Sequence, residues 1–100
     1  YRLTWSGALG TVNLLGFRSG LASVGLTPVG NVTQVATTQG TLYFVPCEQA
    51  LILAYRRGGW VYLEILVLTH LVDLSGLKTL VANTLGLTNV IEDITTVDGP

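Results

Sequence analysis

One histidine, one cysteine and six carboxylates are all that this chain offers to proton transfer, metal binding or nucleophilic attack. His70 and Asp73 have a spacing that suits an oriented imidazole–carboxylate pair, but a single histidine excludes a site with two imidazole ligands from one chain. A lone histidine beside a leucine run is more often a packed or surface residue. Cys47 as a nucleophile requires a base beside it, and sequence spacing does not bring His70 to that position. Glu92 and Asp93 are adjacent and read as a solvated edge. "VDLSG" and "VDGP" lack the contiguous Asp-Ser/Thr-Gly of aspartic proteases, and neither GxGxxG nor GxxxxGK[ST] occurs. The residues therefore point to no catalytic centre, no cofactor and no metal site. Asn31-Val32-Thr33 is an acceptor pattern for N-glycosylation, relevant in a secreted protein.

The elements that carry these residues are dominated by apolar side chains. Apolar residues make up 49% of the 100 positions and charged ones 11%, against about 25% charged in ordinary soluble domains. One small domain covering residues 1–100 is expected, with little burial to spare at this size. The net charge is −1, and the five basic residues (Arg2, Arg18, Arg56, Arg57, Lys78) are scattered. That leaves little electrostatic footprint for nucleic acid. Leu, Val, Thr and Gly favour β structure. Cys47 alone permits no internal disulfide and leaves either a buried thiol, the favoured reading, or an intermolecular bridge. Tyrosine at position 1 and the absence of methionine suggest a piece of a longer chain. "WVYLEILVLTHLV" is interrupted by Glu64 and His70, and the uncharged run from Ser19 to Cys47 is rich in Gly, Thr, Gln and Asn, so neither is expected to span a bilayer.

"YRLTW" reads as a strand ending at Ser6-Gly7. "GTVNLLGFRSG" carries a short apolar run in which Gly16 marks a bulge or a close backbone approach. Residues 20–40 read as loops and short edge strands. "TLYFV" alternates Leu42 and Phe44 against Thr41 and Tyr43 before Pro46 ends the ladder, and "CEQ" turns the chain. "ALILAYR" and "WVYLEILVL" are then two strands joined by Gly58-Gly59, a pair that tolerates a type I′ turn. Beyond them Leu68, Leu71, Leu74, Leu77 and Leu80 recur every third residue, and "LSGLKTLVANTLGL" reads as a helix capped by Ser75 and closed near Gly86. "LTNVIEDITTVDGP" reads as a strand or extended tail. The expected fold is mainly β, a small antiparallel meander or sandwich with one short C-terminal helix.

The glycine pair fixes a register. Arg57 faces Trp60, Tyr55 faces Tyr62, Leu53 faces Glu64 and Leu51 faces Leu66 on one side, while Ala54 faces Leu63 and Ile52 faces Ile65 on the other. The second side is a core face. The first is not the polar face that antiparallel sheets normally turn to water. Its aromatic and arginine content matches the core of a protein interface, and Arg57 is placed to lie over Trp60 as a cation–π pair. Either the N-terminal 40 residues cover that face or another molecule does. In the second case the interface residues are Leu53, Tyr55, Arg57, Trp60, Tyr62 and Leu66.

Residues 33–65, "TQVATTQGTLYFVPCEQALILAYRRGGWVYLEI", resemble the trimerisation domain of the multiplexin collagens, the endostatin-bearing group. The features carrying the resemblance are Gly40 followed by Leu42, Phe44 and Val45, then Glu48, then Leu51 and Leu53, then Gly59 and Trp60 with Leu63. Viral and phage fibre modules are similar, with a Gly-Leu-Tyr-Phe strand, a connecting turn and a Gly-Trp-Val strand. The resemblance implies a compact β-meander that assembles as a homotrimer, without a catalytic site, in an extracellular or virion setting. Two other readings stand beside it. "LSGLKTLVAN" is similar to the Leu-x-x-Leu-x-x-Leu…Asn pattern of leucine-rich repeats, which points to a binding fragment, and the chain can also be read as a non-catalytic segment of an enzyme.

Overall fold

In the computed structural model, which describes residues 1–8 and 12–86, five strands form one antiparallel sheet. Strand β1 spans Arg2–Ala8, β2 Thr33–Thr37, β3 Gly40–Pro46, β4 Ala50–Arg57 and β5 Trp60–Val67. Helix α1 covers Leu14–Gly20 and continues into a 3-10 turn at Leu21–Val24, and helix α2 covers Leu74–Leu85. The chain is mainly β, as its composition predicts. The second layer is helical, so the described residues form no two-sheet sandwich.

The spatial order is β1-β5-β4-β3-β2. Strands β2 to β5 form a meander, and β1 joins its far side by pairing with β5. The connection from β1 to β2 therefore crosses from one edge of the sheet to the other, and α1 lies on that route. The register of β4 on β5 is the one that the glycine pair dictates, with Arg57 opposite Trp60, Tyr55 opposite Tyr62 and Leu53 opposite Glu64. The turn differs in detail from the expected type I′. Gly58 alone has positive φ, at 57°, which is the requirement at the first central position of a type II′ turn.

Three local expectations are corrected. Strand β1 does not stop at Ser6-Gly7: Ser6 pairs with Tyr62, Gly7 with Val61 and Ala8 with Trp60. Gly16 marks no bulge, because it lies within α1, where its N–H donates to the Asn13 side chain at 2.9 Å as an N-cap bond. Ser75 is inside α2. The cap is Asp73, whose carboxylate accepts from Gly76 N at 3.0 Å, while Gly86 closes the helix in left-handed geometry. The expectation of a strand or tail over residues 87–100, including Glu92 and Asp93, lies outside the described residues.

Both helices lie on the same side of the sheet. Phe17, Leu21 and Val24 from the α1 segment, with Leu77, Val81 and Leu85 from α2, form one buried cluster with Leu3, Trp5, Val45, Ile52, Leu63 and Ile65. Each large side chain so buried contributes roughly 1.5–3 kcal/mol. On α2 the inward stripe is Leu77, Val81 and Leu85, four residues apart. Leu68 and Leu71, the first members of the leucine series, precede the helix and are exposed. No helix among the described residues is long and apolar enough to cross a membrane.

Candidate functional site

The strand alternation that buries Ile52, Ala54, Leu63 and Ile65 turns their neighbours to the opposite side. Leu53, Tyr55 and Arg57 of β4 therefore share one face with Trp60, Tyr62 and Leu66 of β5, and all six sequence-chosen interface residues come together. The N-terminal segment does not cover them, because its helix is packed on the other face. Trp60 is 50% exposed, Leu53 38% and Tyr62 37%.

The face is wider than those six positions. Register carries it across β3 to β2 in one row, Val35–Leu42–Tyr55–Tyr62–Ser6, and in a second, Thr33–Phe44–Leu53–Glu64–Thr4. A third row sets Pro46, Leu51, Leu66 and Arg2 side by side. Val35, Leu42, Leu51, Leu53, Trp60 and Tyr62 are all large apolar residues left exposed. Val35, Leu42, Phe44 and Leu51 were absent from the sequence-chosen set. The signal for Leu42 and Phe44 was their alternation in "TLYFV", but placing them beside Leu53 and Tyr55 required the register across the Cys47–Gln49 turn.

Three contacts engage polar groups on this face. The Arg2 guanidinium lies 3.2 Å from the Glu64 carboxylate, across the β1–β5 pair. Tyr62 Oη lies 3.5 Å from Glu64 Oε2. Tyr55 Oη donates to the carbonyl of Gln39, holding the β2–β3 turn against β4. Arg57 does not stack on Trp60: both side chains are exposed, and no cation–π contact forms among the described residues.

The residues with chemical potential are dispersed. His70 meets the ring of Tyr1 edge to face, with centroids 5.6 Å apart. The Asp73 carboxylate is engaged at the α2 N-terminus, and His70 is an exposed surface residue, the reading that its lone place beside a leucine run favours. Cys47 is half-buried rather than buried, in an isolated bridge to Pro28 and 4.0 Å from Gln49 Oε1. Among the described residues no three His, Cys, Asp or Glu side chains gather in metal-binding geometry. A cavity of about 200 Å³ between α1 and the sheet is lined by Val12, Leu14, Tyr43, Ala54, Tyr55, Arg56 and Val61, and Arg56 is its only charge. It pairs no acid with a base. Asn31 is exposed just before β2 begins, and Thr33, the third residue of its triplet, is exposed as well.

Compared with protein-family models, with curated proteins and with solved structures, the chain shows no significant match to any.

Proposed function

We propose that this chain is a non-enzymatic structural module whose task is self-association through the open sheet face. The observation that carries the reading is the placement of both helices on one side, leaving Leu53, Tyr55, Trp60 and Tyr62 on a largely apolar surface that neither helix covers. Contiguous apolar patches of this kind on soluble proteins mark sites of association. Tyrosine, tryptophan and arginine, all present on this face, are the residue types on which interface energy concentrates. A second copy is the occupant that suits best, because a face that is mostly apolar, with the Arg2–Glu64 pair on one side and Arg57 at the hairpin end, is complementary to itself.

The resemblance of residues 33–65 to the multiplexin trimerisation domain supports three-fold assembly, and an extracellular matrix protein or a viral fibre or capsid as its setting. Closed cyclic symmetry lets each sheet turn one face to its own helices and the other to its neighbours, so neither face has to be polar. The leucine-rich-repeat reading finds no support in an antiparallel sheet followed by a single helix that holds Leu74, Leu77 and Leu80.

Sedimentation equilibrium at micromolar concentration tests the proposal. The chain is expected to sediment as an oligomer, and Trp60→Ser combined with Tyr62→Lys to sediment as a smaller species with an unchanged circular dichroism spectrum. A wild-type chain that stays a folded monomer, or a variant of undiminished mass, would overturn it.

A further inference from the structure

We infer that strand β2 is a second association surface, at which two copies of this chain pair edge to edge, antiparallel, about a two-fold axis at Val35. Strand β2 is an outer strand of the sheet, and all five of its residues, Thr33–Thr37, are exposed. Natural sheets protect such edges with charge, proline, bulges or a covering element. "TQVAT" has no charge and no proline, and its register on β3 runs without interruption from Thr33↔Phe44 to Thr37↔Gly40.

Which backbone groups are open follows from the alternation of an antiparallel ladder. Leu68 N donates to Gln49 O at 2.7 Å, so the Gln49–Leu68 pair is of the hydrogen-bonded kind. Every second pair after it, ending at Arg57–Trp60, is of the same kind. Residues Ile52, Ala54 and Arg56 then bond toward β3, to Val45, Tyr43 and Thr41. Leu42 and Phe44 in turn bond toward β2, to Val35 and Thr33. Gln34 and Ala36 are left with both N–H and C=O directed away from the sheet.

These groups are self-complementary. An axis at Val35 sets Gln34 opposite Ala36 of the second copy and Ala36 opposite its Gln34, so the outward groups of both residues are satisfied on each side. Val35 meets its own counterpart in a non-hydrogen-bonded pair. The axis stands perpendicular to the sheet, so both open faces lie on one side and the row Val35–Leu42–Tyr55–Tyr62 continues into its mirror sequence. The other edge, β1, is less suited, because Arg2 is held there by Glu64 and a β1-to-β2 contact would be heterologous and propagate instead of closing.

The test uses the full chain. Ala36→Pro removes only an outward N–H, which an edge strand tolerates, and it is expected to halve the native mass with the circular dichroism spectrum retained. Val35→Lys opposes two like charges at the axis and is expected to do the same. Val35→Cys, made with Cys47→Ala, is expected to give a covalent dimer under mild oxidation, since a non-hydrogen-bonded pair brings Cα atoms to about 4.5 Å, within the range of a disulfide. The exposed control Ser23→Cys, in the same background, is expected to cross-link far more slowly. Unchanged mass in both Ala36→Pro and Val35→Lys, or equal cross-linking at positions 35 and 23, would each overturn the inference. The face variants Trp60→Ser and Tyr62→Lys leave the Val35→Cys cross-link intact, so failure of face association and failure of edge pairing are read separately.

Discussion

Tyr55 and Tyr62 stand opposite each other on β4 and β5, on the side of the sheet that neither helix covers. One residue along each strand, Ala54 and Leu63 are an equally direct pair, and both are buried in the core. Adjacent positions of one hairpin thus meet opposite environments, and substitutions there separate folding from association.

Ile52→Ala and Leu53→Ala are neighbours with different expected outcomes. Ile52 is fully buried, and its truncation is expected to cost about 2–5 kcal/mol of stability. Leu53 keeps 38% of its surface exposed on the open face, and its truncation is expected to cost the dissociated chain less, about 1 kcal/mol. Urea unfolding at low protein concentration checks both values. Raising the concentration is expected to stabilise the wild type more than Leu53→Ala, because association covers the part of that side chain the single chain leaves exposed.

The hairpin register was legible in the sequence because two independent signals agree. Gly58-Gly59 locates the turn, and the alternating residues on either side leave one core face whichever way they are counted. Helix α1 was not legible. Its inward residues Leu14, Phe17, Leu21 and Val24 do follow helical spacing, but Gly16 and Gly20 read as breaks in so short a segment. At Gly20 the α1 backbone faces the end of the Leu80 side chain of α2, which would have to turn aside for a Cβ. The open face was half legible. Its β4 and β5 residues followed from local pairing, whereas Leu42, Phe44 and Val35 join it only through long-range register, which no local pattern encodes.

Capping of α2 gives a second contrast. Asp73 accepts from Gly76 N at 3.0 Å, and Asp73→Ala is expected to lower stability by about 1 kcal/mol. Asp73→Asn keeps the acceptor and is expected to retain most of that contribution. Ser75→Ala is expected to be near neutral, since Ser75 lies inside the helix. Thermal or urea unfolding of the three variants measures the order directly. A loss at Ser75 equal to that at Asp73 would contradict the cap assignment.

Two turn glycines are expected to differ in how much a methyl group costs them. Gly58 and Gly40 both have positive φ, at 57° and 143°. A Cβ on Gly58 meets nothing within 4 Å, whereas one on Gly40 would lie 2.4 Å from the Arg56 carbonyl oxygen. Gly58→Ala is therefore expected to cost about 1–2 kcal/mol, the conformational penalty alone. Gly40→Ala adds a backbone clash at the β3–β4 pair and is expected to cost more. Unfolding midpoints of the two variants, compared at equal m-value, give the difference.

The ion pair between Arg2 and Glu64 provides a test with opposite signs. In the dissociated chain it is substantially solvated, with side chains 51% and 32% exposed, and such pairs contribute no more than about 1 kcal/mol. Association through the open face would bury it. Arg2→Ala would then leave Glu64 unpaired in an apolar interface and is expected to weaken self-association strongly, by the several kcal/mol typical of a broken buried pair. Replacing both partners, Arg2→Met with Glu64→Leu, removes the desolvation cost together with the attraction, and is expected to leave association equal to wild type or tighter. Sedimentation equilibrium of the wild type, the single and the double variant distinguishes these outcomes. If the single substitution weakens assembly no more than the double one does, Glu64 stays in water in the oligomer and the contact lies on some other part of the molecule.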